Sequence, residues 1–289
     1  MEDYRKGNIM LLTLKQLFEK YEGKRAIGSF NVHCLEMLPA MLEGAKELNA
    51  PIIIQTSPGT ASYIGFDLLV SSIETLSERF DMDVCLHMDH CKDIDVLKQA
   101  IDSGYTSVMY DGSSLPLEEN IKNTQEVVAY AHVNNVSVEG EVGTIGGAED
   151  GIVVDEENAM YTNPEDAYKF VRETGVDAIA VAIGTTHGQY KSKAKLNFEL
   201  LEELSTNMKD VGMVLHGGTG VSDEDMRRCV SNGMKKVNVG TELNKSYIEE
   251  VNETFSSATP LTSLRKLLLP ANNRIKEIVI EKSKLFQLM

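Results

Sequence analysis

Three of the six histidines of this 289-residue chain stand in matching settings. His90 closes Leu86-His87-Met88-Asp89-His90, His187 follows Ala182-Ile183-Gly184-Thr185-Thr186, and His216 closes Met213-Val214-Leu215-His216. Each ends a short apolar run and leads into a polar or glycine-containing turn. Imidazoles brought from three strand ends can surround one divalent ion and leave a coordination position open. That is the ligand set of a catalytic zinc centre, where the metal acts as a Lewis acid. Three separately satisfied core or loop histidines are the plainer alternative. Asp89, beside His90, either moves protons on a bound substrate or orients an imidazole. Asp111 and Glu141 hold a second cation or a resting position for the metal, or are buried structural carboxylates. His33 and His87 are assigned no chemistry, and Cys91 is read as an inert thiol.

Two glycine-containing segments supply a different chemistry. His216-Gly217-Gly218-Thr219-Gly220 and Asn238-Val239-Gly240-Thr241 each follow an apolar run. Glycine lets the main chain approach an oxyanion closely, and backbone N–H groups and threonine hydroxyls donate to it. These segments are read as a phosphate cradle, with plain glycine turns as the alternative.

Positioning these groups requires a repeating framework. Short β-branched runs are predicted as strands at Ala26–Val32, Pro51–Thr56, Val84–Asp89, Ser107–Asp111, Ser137–Val142, Ala178–Ile183, Met213–His216 and Lys236–Val239. Helical periodicity occupies most of the intervals, for example Phe66–Phe80, Pro164–Thr174 and Asp223–Ser231. Asn163 before Pro164, and Ser222 before three acidic residues, mark helix starts. Gly104, Gly175 and Gly233 mark helix stops. Eight strands alternating with helices predict an α/β fold, a parallel (β/α)8 TIM barrel. An open doubly wound sheet is the alternative. One domain is expected over residues 1–289, with an extra N-terminal helix at Leu14–Tyr21 and a C-terminal helical tail from about Leu261. In such barrels the chemistry lies where strands end, which is where the three histidines fall.

Composition removes other classes of function. Against 28 basic residues stand 44 acidic ones, a formal charge of −16, so nucleic acid is a poor partner. No apolar run reaches the ~18 residues that cross a bilayer, and Met1–Lys6 lacks the apolar core of a signal peptide. Four scattered cysteines form no CxxC pair. A soluble, reduced, cytoplasmic protein is expected.

The motifs resemble those of the class II, metal-dependent ketose-bisphosphate aldolases, which include fructose- and tagatose-bisphosphate aldolases. The residues carrying the resemblance are Gly28-Ser29-Phe30-Asn31, Leu86–His90, Glu139-Gly140-Glu141-Val142-Gly143 with Gly146-Gly147-Ala148-Glu149-Asp150, Ala182–Gly188, and Leu215–Gly220. It extends from about Leu14 to the C-terminal helix. The resemblance implies Zn2+ on His90, His187 and His216, with proton transfer by Asp89 and Glu149. It also implies a second metal position or cation, monovalent or divalent, at Asp111 and Glu141. Gly188, Gly217, Gly218, Thr219, Asn238, Gly240 and Thr241 would hold the dihydroxyacetone phosphate half, and Asn31 and Ser57 the other half. Lys191 would add local positive charge. Arg265 is similar in place to an arginine that reaches a phosphate across a dimer interface, although Ser263-Leu264 replace the usual Asp-Pro before it.

The expected function is reversible cleavage of tagatose or fructose 1,6-bisphosphate to dihydroxyacetone phosphate and glyceraldehyde 3-phosphate, by a homodimer or homotetramer. Gly184-Thr185, Asp111-Gly112-Ser113 and Gly240 lie nearer the tagatose-type branch. Some of those relatives work with an accessory subunit. A deoxy-ketonate phosphate, or a non-catalytic sugar-phosphate-binding subunit, are the other readings of the same resemblance. A zinc hydrolase is disfavoured, because Phe30-Asn31-Val32-His33 lacks the His-x-His pair of such barrels. The carbanion left by C–C cleavage needs an electron sink, a Schiff-base lysine or a metal. Lys235 and Lys236 are expected at the start of the last strand, away from the site, so a metal is favoured.

Overall fold

The computed structural model describes residues 11–23, 25–149, 152–154, 161–188, 194–257 and 263–288; the side chains of 146–149, 152–154 and His187 lie outside the description. In chain order the strands are β1 (Ile27–Asn31), β2 (Ile52–Thr56), β3 (Val84–Cys91), β4 (Ser107–Tyr110), β5 (Ser137–Val142), β6 (Gly146–Glu149), β7 (Ile152–Val154), β8 (Ala178–Val181), β9 (Thr186–His187), β10 (Gly212–Leu215) and β11 (Met234–Val239). Eight of them close into an all-parallel barrel in the order β1-β2-β3-β4-β5-β8-β10-β11, while β6, β7 and β9 form a small separate sheet. The helices are α1 (Leu14–Lys20), α2 (Leu38–Glu47), α3 (Pro58–Ile64), α4 (Phe66–Phe80), α5 (Ile94–Ser103), α6 (Leu117–Val133), α7 (Pro164–Thr174), α8 (Phe198–Asn207), α9 (Asp223–Ser231), α10 (Thr241–Ser256) and α11 (Leu264–Phe286). This is the (β/α)8 barrel that the alternation predicts.

A parallel strand wrapped by helices is covered on both faces, so its sequence is nearly continuous in apolar residues. Ile52, Ile53 and Ile54 are all fully buried, successive side chains facing the barrel interior and the helices in turn. Helix starts follow the expected capping chemistry: Asn163 accepts from the Asp166 N–H and Ser222 from the Asp225 N–H. Gly104 (φ 110°) and Gly175 (φ 70°) end α5 and α7 in left-handed conformations. Leu14 and Leu17 of α1 pack on Ile27, Ile53, Cys85, Met109, Ala178, Ala180 and Val214. The first of these begins β1, and the backbone of Lys15 donates to Ser137 at the start of β5. The N-terminal helix therefore plugs the end where strands begin, leaving chemistry to the other end.

Several features depart from expectation. Helix α10 starts directly after β11, where the sequence suggested only a tail from about Leu261. Its apolar stripe is thin: Leu243 alone is buried, and Ile248 and Phe255 are exposed, so periodicity is weak there. Helix α3 and the β6–β7–β9 sheet are too short to carry a readable period. Lys236 corrects a second expectation. Strand β11 begins two residues earlier than predicted, and the Lys236 side chain is fully buried inside the barrel.

Candidate active site

Neighbouring residues of a strand face opposite sides, yet Asp89 and His90 both contribute to one cluster. A break in the regular strand makes this possible. The register of β3 against β4 shifts between Met88 and Cys91, and His90 adopts φ 47°. A bulge re-aims side chains, and a left-handed non-glycine residue persists only where its surroundings hold it.

His90 Nε2 and His216 Nδ1 lie 2.8 Å apart, with the ring planes at 85°. The outer nitrogens meet carboxylates: His90 Nδ1 is 3.1 Å from Asp111 Oδ2, and His216 Nε2 is 2.9 Å from Glu139 Oε1. Glu141 Oε2 lies 3.9 Å from Nδ1 of both rings. It is buried and has no hydrogen-bond partner among the described residues. An orphaned buried carboxylate oxygen within 3.9 Å of one nitrogen on each of two imidazoles fits a divalent cation. Asp89–His90–His216 and His90–Asp111–Glu141 are both groups able to hold one.

Without such an ion, protons balance the charge. Burial alone would lower the His90 pKa, but Asp89, Asp111 and Glu141 outweigh it and raise it to about 10. Burial and the charge on His90 together push His216 down to about 4. Burial, reinforced by the Asp111 charge, pushes Glu141 well above the usual carboxylate range. For Asp89 burial works upward but is overcome by His90, His87, Lys236 and His216, which hold it well below its ordinary value.

Asp89 is also fixed in place. Gln55 Nε2 donates to Asp89 Oδ2 (3.0 Å) and to Asn31 Oδ1 (2.6 Å), and Ser29 Oγ donates to Gln55 Oε1. Asn238 Nδ2 donates to Asp89 Oδ1 at 3.2 Å. The structure thus gathers Asn31, Asp89, His90, Asp111, Glu141, His216 and Asn238. Ser57 caps α3, accepting from the Thr60 N–H. Arg265 is exposed in the first turn of α11 and is not brought to the cluster. The backbone of His187 pairs with Gly147, but its side chain and that of Glu149 lie outside the described residues, as does Lys191 entirely. Cys91 donates its thiol hydrogen to the Asp93 carbonyl, and burial pushes its pKa up to about 11.

Gln55, His87, Glu139 and Lys236 were assigned no role from sequence, yet all four enter this network. A usable signal existed. Residues two apart on a strand share a face, so an inward Asp89 carries His87 with it, Glu141 carries Glu139, and Asn238 carries Lys236.

The glycine loop after β10 is held tightly. Gly217 has φ 68°, and a Cβ there would come within 2.4 Å of the Thr186 carbonyl oxygen. Gly217→Ala should therefore cost at least ~1–2 kcal/mol from the left-handed conformation alone. A Tm lowered by about 2 °C or more in differential scanning calorimetry is expected. An unchanged Tm would show that the loop is free to move.

Helix α10 adds to this end of the barrel. Its cap, Gly240, offers no side-chain hydrogen bond, so the first N–H groups lack a capping side chain directly after β11. Thr185 Oγ1 and Asn238 Oδ1 are buried without hydrogen-bond partners among the described residues.

A (β/α)8 barrel that gathers imidazoles and carboxylates where its strands end is the construction of a metal-dependent barrel enzyme. Comparison with known proteins makes the class specific. The family model described as Fructose-bisphosphate aldolase class-II matches residues 12–288. A fructose-bisphosphate aldolase of Staphylococcus aureus is 40% identical over 282 residues, covering 96% of this chain and 97% of its own. One from Geobacillus stearothermophilus is 38% identical over 280 residues, covering 96% of each chain. The crystal structure of the YdjI aldolase from Escherichia coli K12 superposes with a TM-score of 0.84 at 31% identity, over 96% of this chain and 97% of that one. The chain belongs to the class II fructose-bisphosphate aldolase family and is a metal-dependent lyase.

Proposed function

We propose that the chain cleaves a ketose 1,6-bisphosphate reversibly to dihydroxyacetone phosphate and glyceraldehyde 3-phosphate, using Zn2+ on His90, His187 and His216. The observation that carries this reading is the approach of His90 Nε2 and His216 Nδ1 to 2.8 Å beside Asp89. When bound, the ion polarises the C2 carbonyl and offsets the charge left on C3 as the C3–C4 bond breaks.

The protein's own groups do the rest. Asp89, ionised and pinned by Gln55 and Asn238, accepts the C4 hydroxyl proton. Glu149 returns a proton to C3. The backbone of Gly188, Gly217 and Gly218, with Thr219, Asn238, Gly240 and Thr241, holds the phosphate of the dihydroxyacetone half. The uncapped start of α10 supports that assignment, since a helix N-terminus favours an anion. Asn31 and Ser57 face the other half. Lys191 and a second cation at Asp111 and Glu141, with Arg265 reaching across a dimer interface, offset the repulsion between an anionic substrate and a chain of charge −16. The chain works in the cytoplasm as one barrel domain over residues 1–289, assembled into a homodimer or homotetramer.

The relatives' names favour fructose 1,6-bisphosphate. Gly240 favours tagatose 1,6-bisphosphate as the second reading. A non-catalytic subunit is disfavoured, because Asp89, His90 and His216 are all present and gathered. A coupled assay of kcat/KM on the two sugars tests the proposal. Turnover of either is expected, with fructose preferred; turnover of neither, in zinc-loaded protein, overturns it.

A further inference from the structure

We propose that Lys236 is a cation built into the barrel which, through Glu139, fixes His216 as its Nε2–H tautomer and so reserves Nδ1 for the metal. The proposal rests on the metal-dependent reading above and deepens it.

Lys236 has no exposed surface, and a buried ammonium persists only when paired. Its Nζ donates to Glu139 Oε2 at 2.9 Å. The other oxygen of the same carboxylate, Oε1, lies 2.9 Å from His216 Nε2. An ionised carboxylate only accepts hydrogen bonds, so Nε2 must carry the hydrogen. The lone pair is then on Nδ1, the atom that faces His90 Nε2 at 2.8 Å. Lysine, carboxylate and imidazole form a line from the barrel floor to the cluster, and each hydrogen bond sets the direction of the next.

The lysine also occupies a place that would otherwise invite an ion. His87, Asp89 and Glu139 form a third group able to hold a cation. Lys236 Nζ reaches His87 Nε2 at 3.5 Å, and that nitrogen lies 3.6 Å from Glu139 and 3.7 Å from Asp89. His87 Nδ1 meets Ser107 Oγ at 2.8 Å, which orients the ring. A positive charge supplied by the chain satisfies the lower group and leaves His90 and His216 for the metal. Lys236 and Glu139 are thus positioning residues that act through His216.

The test uses full-length wild type, Lys236→Met and Glu139→Gln, read without substrate. Zn2+ affinity is measured by competition with a chromophoric chelator, and the visible absorption of Co2+-loaded protein reports ligand geometry. Both variants are expected to bind Zn2+ about 10–100-fold more weakly and to shift the Co2+ bands. Affinity and bands unchanged in both would overturn the proposal. Should Lys236→Met fail to fold, the near-isosteric Glu139→Gln and the wild type decide. Long-range 1H–15N correlation of the metal-free wild type should show the His216 proton on Nε2, and a proton on Nδ1 overturns the assignment. Borohydride with fructose 1,6-bisphosphate separates the two levels, because a covalent adduct on Lys236 would overturn the metal-sink reading itself.

Discussion

Asp89→Asn is expected to keep its metal and to lose carbon–carbon cleavage by about 10²–10⁴-fold, the range that a positioned proton acceptor supplies. The side chain touches Gln55 and Asn238 through amide donors on both carboxylate oxygens. Asparagine fills the same space but turns an NH2 group towards one of those donors. A stability loss of about 1–3 kcal/mol for the mismatched pair is therefore expected and must be read separately, by Tm. The diagnostic result is a split between two half-reactions. Exchange of the C3 proton of dihydroxyacetone phosphate with solvent, assigned to Glu149, should survive, while cleavage of the bisphosphate should not. Zinc content by elemental analysis checks that the ligands are intact. Turnover within tenfold of wild type would remove Asp89 from the proton-transfer role, and loss of exchange and cleavage together would make it a structural acceptor.

The framework was legible in the sequence because a parallel barrel imposes strong local rules. Strands buried on both faces read as β-branched runs, and Ser137–Val142 was read at its observed bounds. Helices with a clear apolar stripe, such as Phe66–Phe80, were read equally closely. Helix α10 was missed because it buries little, although its start helps to build the proposed phosphate site. The cluster of His90, His216 and their carboxylates was legible in residue type but not in geometry. A regular strand would send Asp89 and His90 to opposite faces, and only the positive φ of His90 with its register shift brings them together. The supporting layer was the least legible part. Lys236 reads as a surface residue at a strand start by chemistry alone, and only the two-residue period through Asn238 argues that it turns inward. Its burial depends on Glu139 from a strand 97 residues earlier, a pairing that no local pattern contains.

Removing the metal should abolish cleavage, and Zn2+ or Co2+ should restore it, because Lys236, the lysine buried beside the cluster, is already committed to an ion pair. Lys236 is paired with Glu139 and fully buried, so its own amine is not free to form a Schiff base. Reloading should depend on pH in a definite direction. In the metal-free cluster His90 has a pKa of about 10, so at neutral pH it holds a proton that the ion must displace. Glu141, raised well above the carboxylate range, holds another at low pH. Protons and metal compete for the same atoms, so apparent affinity falls as pH falls. For the His90 proton the slope is about tenfold per pH unit below pH 10, and Glu141 steepens it where that carboxyl is protonated. Titrating chelator-treated protein with Zn2+ at pH 6, 7 and 8 measures this slope, and calorimetry in buffers of different ionisation enthalpy counts the released protons. Full activity in excess chelator, or reloading with no proton release, would mean that the paired imidazoles hold only each other, and the sink for the carbanion would have to be sought elsewhere in the barrel.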